Sequence, residues 1–187
     1  MLSVLSAVVG KFPASARTLR RTQTLTTAGI FLAIQMTLSS LGVVQLSESL
    51  KISLGHLALA PTAILFGPVV AGLQGALSDV LAFLIRPSGP YFPGFTVTAA
   101  LGGVIYGAVF YKGSLRLTHI VLARALICVF VNILLNTLFL TMLYGPAQLA
   151  ALPLRALKNA MQLPLDCVLL AAVCRTVQRL PRAAGAR

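Results

Sequence analysis

Two runs of polar residues set in apolar surroundings are the part of this sequence with the means to do chemistry. Arg155 and Lys158 stand three apart, and Asn159, Gln162 and Asp166 follow Arg155 at offsets of four, seven and eleven. On a helix that spacing makes one face polar for three turns. A second face arises from Arg124, Cys128, Asn132 and Asn136, which recur every four residues with Thr137 at the edge. Cations so placed are candidates for meeting an anion, because an ionisable group within a membrane span is costly unless it is paired or faces water. Amides beside them offer both donors and acceptors to a ring. The competing reading is that the amides glue helices together, at about 0.6–2 kcal/mol per contact, and that the long cations snorkel to lipid headgroups.

A third feature is the stretch from Pro87 to Thr96, which carries Pro87, Pro90 and Pro93, Gly89 and Gly94, and the aromatics Tyr91, Phe92 and Phe95. Prolines fix φ and glycines supply conformations that other residues avoid, so this loop is built to hold a shape. The alternative is an aromatic belt at the membrane interface. Amides for a hydrogen-bonding ring, cations for carboxylates and an aromatic cover together suit a flat heterocyclic acid.

The elements that must position these residues follow from composition. With 58% hydrophobic and 10% charged residues and a mean hydropathy of +0.93, the chain reads as an all-α, polytopic membrane protein. Apolar segments at 24–44, 52–67, 69–85, 95–112, 118–144 and 155–178 predict a bundle of six transmembrane helices, each near the length that crosses about 30 Å of hydrocarbon. The second and third meet at Phe66-Gly67-Pro68, and Pro61 interrupts the second. Residues 1–23 form a basic cytoplasmic N-terminal segment, 24–180 the membrane domain, and 181–187 a basic cytoplasmic tail. The first ten residues are apolar but carry their positive charges after them, which predicts a brief surface helix rather than a cleaved signal peptide.

The net charge of +12 calls for no nucleic acid. Lys11, Arg17, Arg20, Arg21, Lys112, Arg116, Arg175, Arg179, Arg182 and Arg187 all fall on one side of such a bundle, and the positive-inside rule makes that side the cytoplasm, with both termini in it. Lys51 and Arg86 fall at outer ends, against this bias. Among the acids, Asp79 is expected to pair with Arg86, seven residues on, or with Arg124, with a ligand contact as the rival. Glu48 reads as a solvated loop residue, and Asp166 as a partner for a cation or a ligand. His56 and His119 read as ordinary interfacial residues. Cys128, Cys167 and Cys174 lack metal or disulfide spacing and read as small packing residues.

No phosphate-binding G-x-x-x-x-G-K-[ST] loop, G-x-S-x-G elbow or metal-ligand pattern is present, so nothing carries nucleotide hydrolysis or nucleophilic catalysis, and no cofactor or metal is expected. Two inverted halves of a self-sufficient secondary transporter are missing too. A six-span binder of this kind needs a partner.

The string PSGPYFPGFTVTAALGGVIYG from Pro87, the preceding ISLGHLALAPTAILFGPVVAGLQGALSDVL, and the later LLNTL and LPLRALKN resemble the S component, or substrate-binding subunit, of an energy-coupling factor (ECF) transporter of the folate family. The likeness covers about residues 25–178. It implies a six-helix bundle in the bacterial cytoplasmic membrane that binds folate or a related vitamin from outside, does no chemistry, and joins a transmembrane scaffold protein and two cytoplasmic ATPase subunits. Carried onto this chain, Ser88, Gly89, Tyr91, Phe92, Pro93, Gly94, Phe95 and Thr96 would gate the site. Arg155, Lys158, Lys51 and Arg86 would attract the glutamate carboxylates, while Asn132, Asn136, Asn159 and Gln162 would offer hydrogen bonds deeper in. S components carry two alanines at four-residue spacing on the first helix to meet the scaffold; here Gly29, Ala33 and Thr37, with Ala28 beside them, hold that spacing but depart from the alanine pair. Other readings are an S component for pantothenate or a queuosine precursor, and a structural or assembly protein of the membrane.

Overall fold

Apolar runs punctuated by glycine, proline and short polar stretches fold into a helical bundle, seen here in a computed structural model that describes residues 2–41, 44–47, 50–52, 54–87, 90–113 and 115–179, with the side chains of 2–9 and 41–53 outside the description. In chain order the helices are α1 (Leu2–Thr18), α2 (Thr22–Leu41), α3 (His56–Phe66), α4 (Pro68–Ile85), α5 (Pro93–Phe110), α6 (Leu117–Tyr144) and α7 (Leu152–Arg179). A 3-10 turn, Pro146–Ala151, leads into α7. Between α2 and α3 two short strands, Val44–Ser47 (β1) and Leu50–Ile52 (β2), pair antiparallel with Gln45 opposite Lys51. The first apolar segment therefore ends at Leu41, not 44, because the chain beyond it turns into a hairpin that hydropathy alone does not register.

Four stretches among the described residues are long and apolar enough to cross a membrane: α4, α5, α6 and Pro146–Arg179. Helix α3 has 11 residues and, at about 1.5 Å per residue, covers roughly half the hydrocarbon thickness. Its end and the start of α4 are set by Gly67, whose φ of 87° stops one helix, and by Pro68, which fits the first position of the next.

Helices α4 and α5 lie backbone against backbone. A Cβ on Gly75 would run into the Ala99 carbonyl, one on Gly103 into that of Ala71, and one on Gly107 into the backbone of Pro68, so the absence of side chains is what lets the two helices meet. Around this pair the core gathers Leu59, Ala63, Ile120, Ile127 and Leu170, with the rings of Tyr106 and Phe110 stacked at 5.4 Å. Cys128, Cys167 and Cys174 are buried and free, as packing residues.

The N-terminal helix is more than the brief surface helix expected. It runs 17 residues and is clasped to the bundle: Ser15 Oγ donates to the Phe66 carbonyl at 2.6 Å and accepts from Val69 N at 3.1 Å, and Lys11 Nζ donates to the Ala108 carbonyl at 2.8 Å. Ser15 thus caps the first turn of α4 from another helix, meeting a backbone N–H that the turn itself leaves unpaired. Ser15→Ala is expected to destabilise the fold by about 1 kcal/mol, seen as a lower thermal unfolding midpoint in detergent, whereas Thr26→Ala on the exposed side of α2 leaves the midpoint unchanged.

Candidate functional site

Asp79, Phe83 and Arg86 follow one another at i, i+4 and i+7 on α4 and so share a face. That face forms one wall of an open cavity of about 460 Å³ lined also by Met36, Ser39 and Ser40 at the end of α2, by Pro90, Tyr91, Phe92 and Phe95 at the start of α5, and by Leu140, Leu143 and Tyr144 at the end of α6. The last four of the ten residues of the predicted loop are in fact the first turn of α5, because Pro93 occupies its opening position. The helix therefore fixes Phe95 and Thr96 directly.

Aromatic contacts knit the cavity wall. Tyr91 lies 5.1 Å from Phe83, and Phe92 and Phe95 pack on each other at 5.8 Å and on Phe139 of α6 at 5.5 and 6.5 Å. Gly94 lets the Phe92 ring lie over the backbone where a side chain would strike it. Asp79 does not pair with Arg86 or Arg124 as expected: its Oδ2 accepts a hydrogen bond of 2.7 Å from Thr96 Oγ1, which lies 2.8 Å from the Tyr91 hydroxyl. Arg124 is taken elsewhere.

The polar faces of α6 and α7 do meet. Asn132 Nδ2 donates to Asn159 Oδ1 at 3.2 Å, Asn159 Nδ2 to the Arg155 carbonyl at 2.9 Å, and Arg155 Nη2 to Gln148 Oε1 at 2.7 Å. Deeper in, Arg124 Nη2 pairs with Asp166 Oδ2, and Asp166 Oδ1 lies 3.4 Å from both Gln162 Nε2 and His56 Nε2. His56 thus lies against the buried Arg124–Asp166 pair and is not an ordinary interfacial residue; α3 begins at His56, and its first turn meets α7. Residues Ile127–Leu135 of α6 are wound as a π-helix. In a purely α-helical segment a four-residue repeat drifts by about 40° at each step, and the wider π turn takes up that drift, keeping Arg124, Cys128, Asn132 and Asn136 on one side.

Of the residues singled out from sequence, Arg86, Tyr91, Phe92 and Phe95 line the cavity, and Thr96 reaches it through Asp79. Asn132, Asn136, Arg155, Lys158, Asn159 and Gln162 sit together on α6 and α7, apart from its lining; Phe139, one turn beyond Asn136, links the two regions. Ser88 and Gly89 lie outside the described residues, and Lys51 is placed in β2 without its side chain. Gly29, Ala33 and Thr37 face outward on α2, with Ala28 half-buried beside them. Sequence reasoning missed Met36, Ser39, Ser40, Phe83 and Tyr144. The i, i+4, i+7 spacing of Asp79, Phe83 and Arg86 was the available signal for Phe83, while the others become neighbours only through packing.

Residues 23–185 match the family described as ECF transporter, substrate-specific component. The chain belongs to that family. This S component is 38% identical over 131 residues to the folate transporter FolT of Clostridium novyi, covering 70% of this chain and 76% of the relative. It is 29% identical over 143 residues to the FolT of Leuconostoc mesenteroides, covering 73% and 76%. A crystal structure of FolT bound with folic acid superposes with a TM-score of 0.75 at 30% identity, covering 82% of this chain and 92% of that one. The family is the substrate-binding part of a membrane transporter rather than an enzyme.

Removing one member of the Arg124–Asp166 pair strands a buried charge, which costs about 3–5 kcal/mol. Arg124→Ala is expected to abolish folded protein in detergent extracts by size-exclusion chromatography, and the double replacement Arg124→Met with Asp166→Leu to restore a monodisperse peak.

Proposed function

We propose that this chain is the folate-binding S component of an ECF-type importer in the bacterial cytoplasmic membrane. The observation that carries the reading is the 38% identity to a relative named as a folate transporter. The cavity supports it, since about 460 Å³ lies within the range of small-molecule sites, and its aromatic lining suits flat rings. The membrane bundle has six helices, α2 to α7, with both termini in the cytoplasm, where ten of the fifteen basic residues would then lie. On that topology α5 begins at the outer surface, and Ser88, Gly89, Tyr91, Phe92, Pro93, Gly94, Phe95 and Thr96 gate the site.

Arg155 has a buried Nη1 with no hydrogen-bond partner among the described residues, which favours an anion there. Arg155 and Lys158, with Lys51 and Arg86, attract the glutamate carboxylates, while Asn132, Asn136, Asn159 and Gln162 supply hydrogen bonds. The outward face of α2 at Ala28, Gly29, Ala33 and Thr37 allows close approach of a scaffold helix, through which the subunit joins the transmembrane scaffold and two ATPases.

Isothermal titration of the purified protein with folate and 5-formyltetrahydrofolate, with pantothenate and thiamine as controls, tests the substrate: one-to-one binding of a folate alone is the expected result, and binding of pantothenate instead reassigns it. Arg155→Ala and Lys158→Ala are expected to weaken folate binding about tenfold or more, equivalent to about 1.4 kcal/mol, and Arg116→Ala on the opposite side to leave it unchanged; equal effects overturn the site assignment. Ala33→Leu is expected to leave folate binding intact and to abolish folate uptake in vesicles that hold the complete transporter.

A further inference from the structure

Asp79 is the acid lining the cavity, and its position raises a question of charge. Arg124 pairs with Asp166, with His56 beside them, and Asp79 has no cation within ion-pair distance among the described residues. Its Oδ2 accepts from Thr96, and its Oδ1 accepts no hydrogen bond among the described residues. A hydroxyl carries a single hydrogen. Thr96 Oγ1 commits its own to Asp79, so in the 2.8 Å contact between Tyr91 and Thr96 the tyrosine must be the donor. Both hydrogens of the chain Tyr91–Thr96–Asp79 therefore point toward the carboxylate. One oxygen is anchored by the start of α5, and the other is left as an acceptor on a residue that lines the cavity together with Phe83, Tyr91, Phe92 and Phe95.

An ionised carboxylate accepts hydrogen bonds and donates none, so the group it suits is an N–H donor on a flat ring. The cation lining the same cavity is Arg86, two turns further along α4, about 10 Å along the helix axis, and exposed. Donor edge at Asp79 and acid toward Arg86 is the order of charges that the wall prescribes. We propose that Asp79 reads the amino edge of the ligand's heterocycle, its Oδ1 accepting from the 2-amino group of a 2-amino-4-oxopteridine, while Thr96 and Tyr91 hold the carboxylate through Oδ2. The assignment rests on the folate reading above and adds a specificity-determining residue to it.

The test pairs a change in the ligand with a change in the protein. Wild-type protein is titrated with folate and with 2-desaminofolate, in which hydrogen replaces the amino group, and the two titrations are repeated on Asp79→Asn, whose side-chain carbonyl still accepts from Thr96. The expected result is that deleting the amino group weakens binding about 10- to 100-fold in the wild type, the range for a charge-assisted hydrogen bond, that Asp79→Asn weakens folate by a similar factor, and that the two losses do not add. Thr96→Val is expected to weaken both ligands by the same factor. Equal affinity of the wild type for both ligands overturns the assignment without any variant having to fold, and so does strictly additive loss in Asp79→Asn, which leaves Asp79 as a brace for the loop only. If the wild type binds no folate, the folate reading falls and this assignment falls with it.

Discussion

The contact on which the rest of the structure depends is the backbone-to-backbone packing of α4 and α5. In a membrane no hydrophobic force favours one helix pair over another, since lipid tails are as apolar as leucine, and close packing has to supply the preference. Gly75, Gly103 and Gly107 remove the Cβ atoms that would hold the helices apart. At one end the closeness fixes the turn at Gly67, against which α1 is clasped by Ser15. At the other it brings Thr96 on α5 within hydrogen-bond distance of Asp79 on α4. Tyr91 and Phe92, which lead into α5, line the cavity at that end.

Polar residues on the facing helices divide by depth. Deep in the bundle Arg124 and Asp166 satisfy each other and draw in His56 and Gln162, so α3, α6 and α7 are tied at one level. A buried pair of this kind is modest evidence for stability, given the cost of desolvating both charges, but it fixes register because neither member tolerates the loss of the other. Nearer the cavity end, the Asn132–Asn159 pair and the Arg155–Gln148 bond use only part of the donors and acceptors available. The Arg124–Asp166 pair that holds helices together and the partnerless Arg155 Nη1 lie on the same polar faces, at different levels.

Asp79 and Arg86 illustrate the limits of a single helix face. Spacing puts them on one side of α4, and an ion pair is the simplest expectation from that alone. Thr96, from a helix seventeen residues on, reaches the carboxylate instead, and Arg124, the other candidate partner, is already paired across the bundle. Fixed neighbours on other helices decide which of several local possibilities is realised.

Much was legible from sequence because each signal is local. Composition sets the solvent, hydropathy sets the helices at 68–85 and 117–144 nearly to the residue, Gly67-Pro68 sets a turn through backbone sterics, and four-residue spacing sets which polar side chains share a face. The hairpin after α2, the clasp of α1, the π-wound segment of α6 and the cavity's Ser39, Ser40 and Tyr144 were not legible, because each arises where segments distant in the chain compete for the same space or the same hydrogen bonds. The sequence by itself determined a membrane bundle with an aromatic loop and two polar faces; the tertiary structure alone decided that Asp79 answers to Thr96 and Tyr91 rather than to an arginine, since that choice depends on how closely two glycine-lined helices pack.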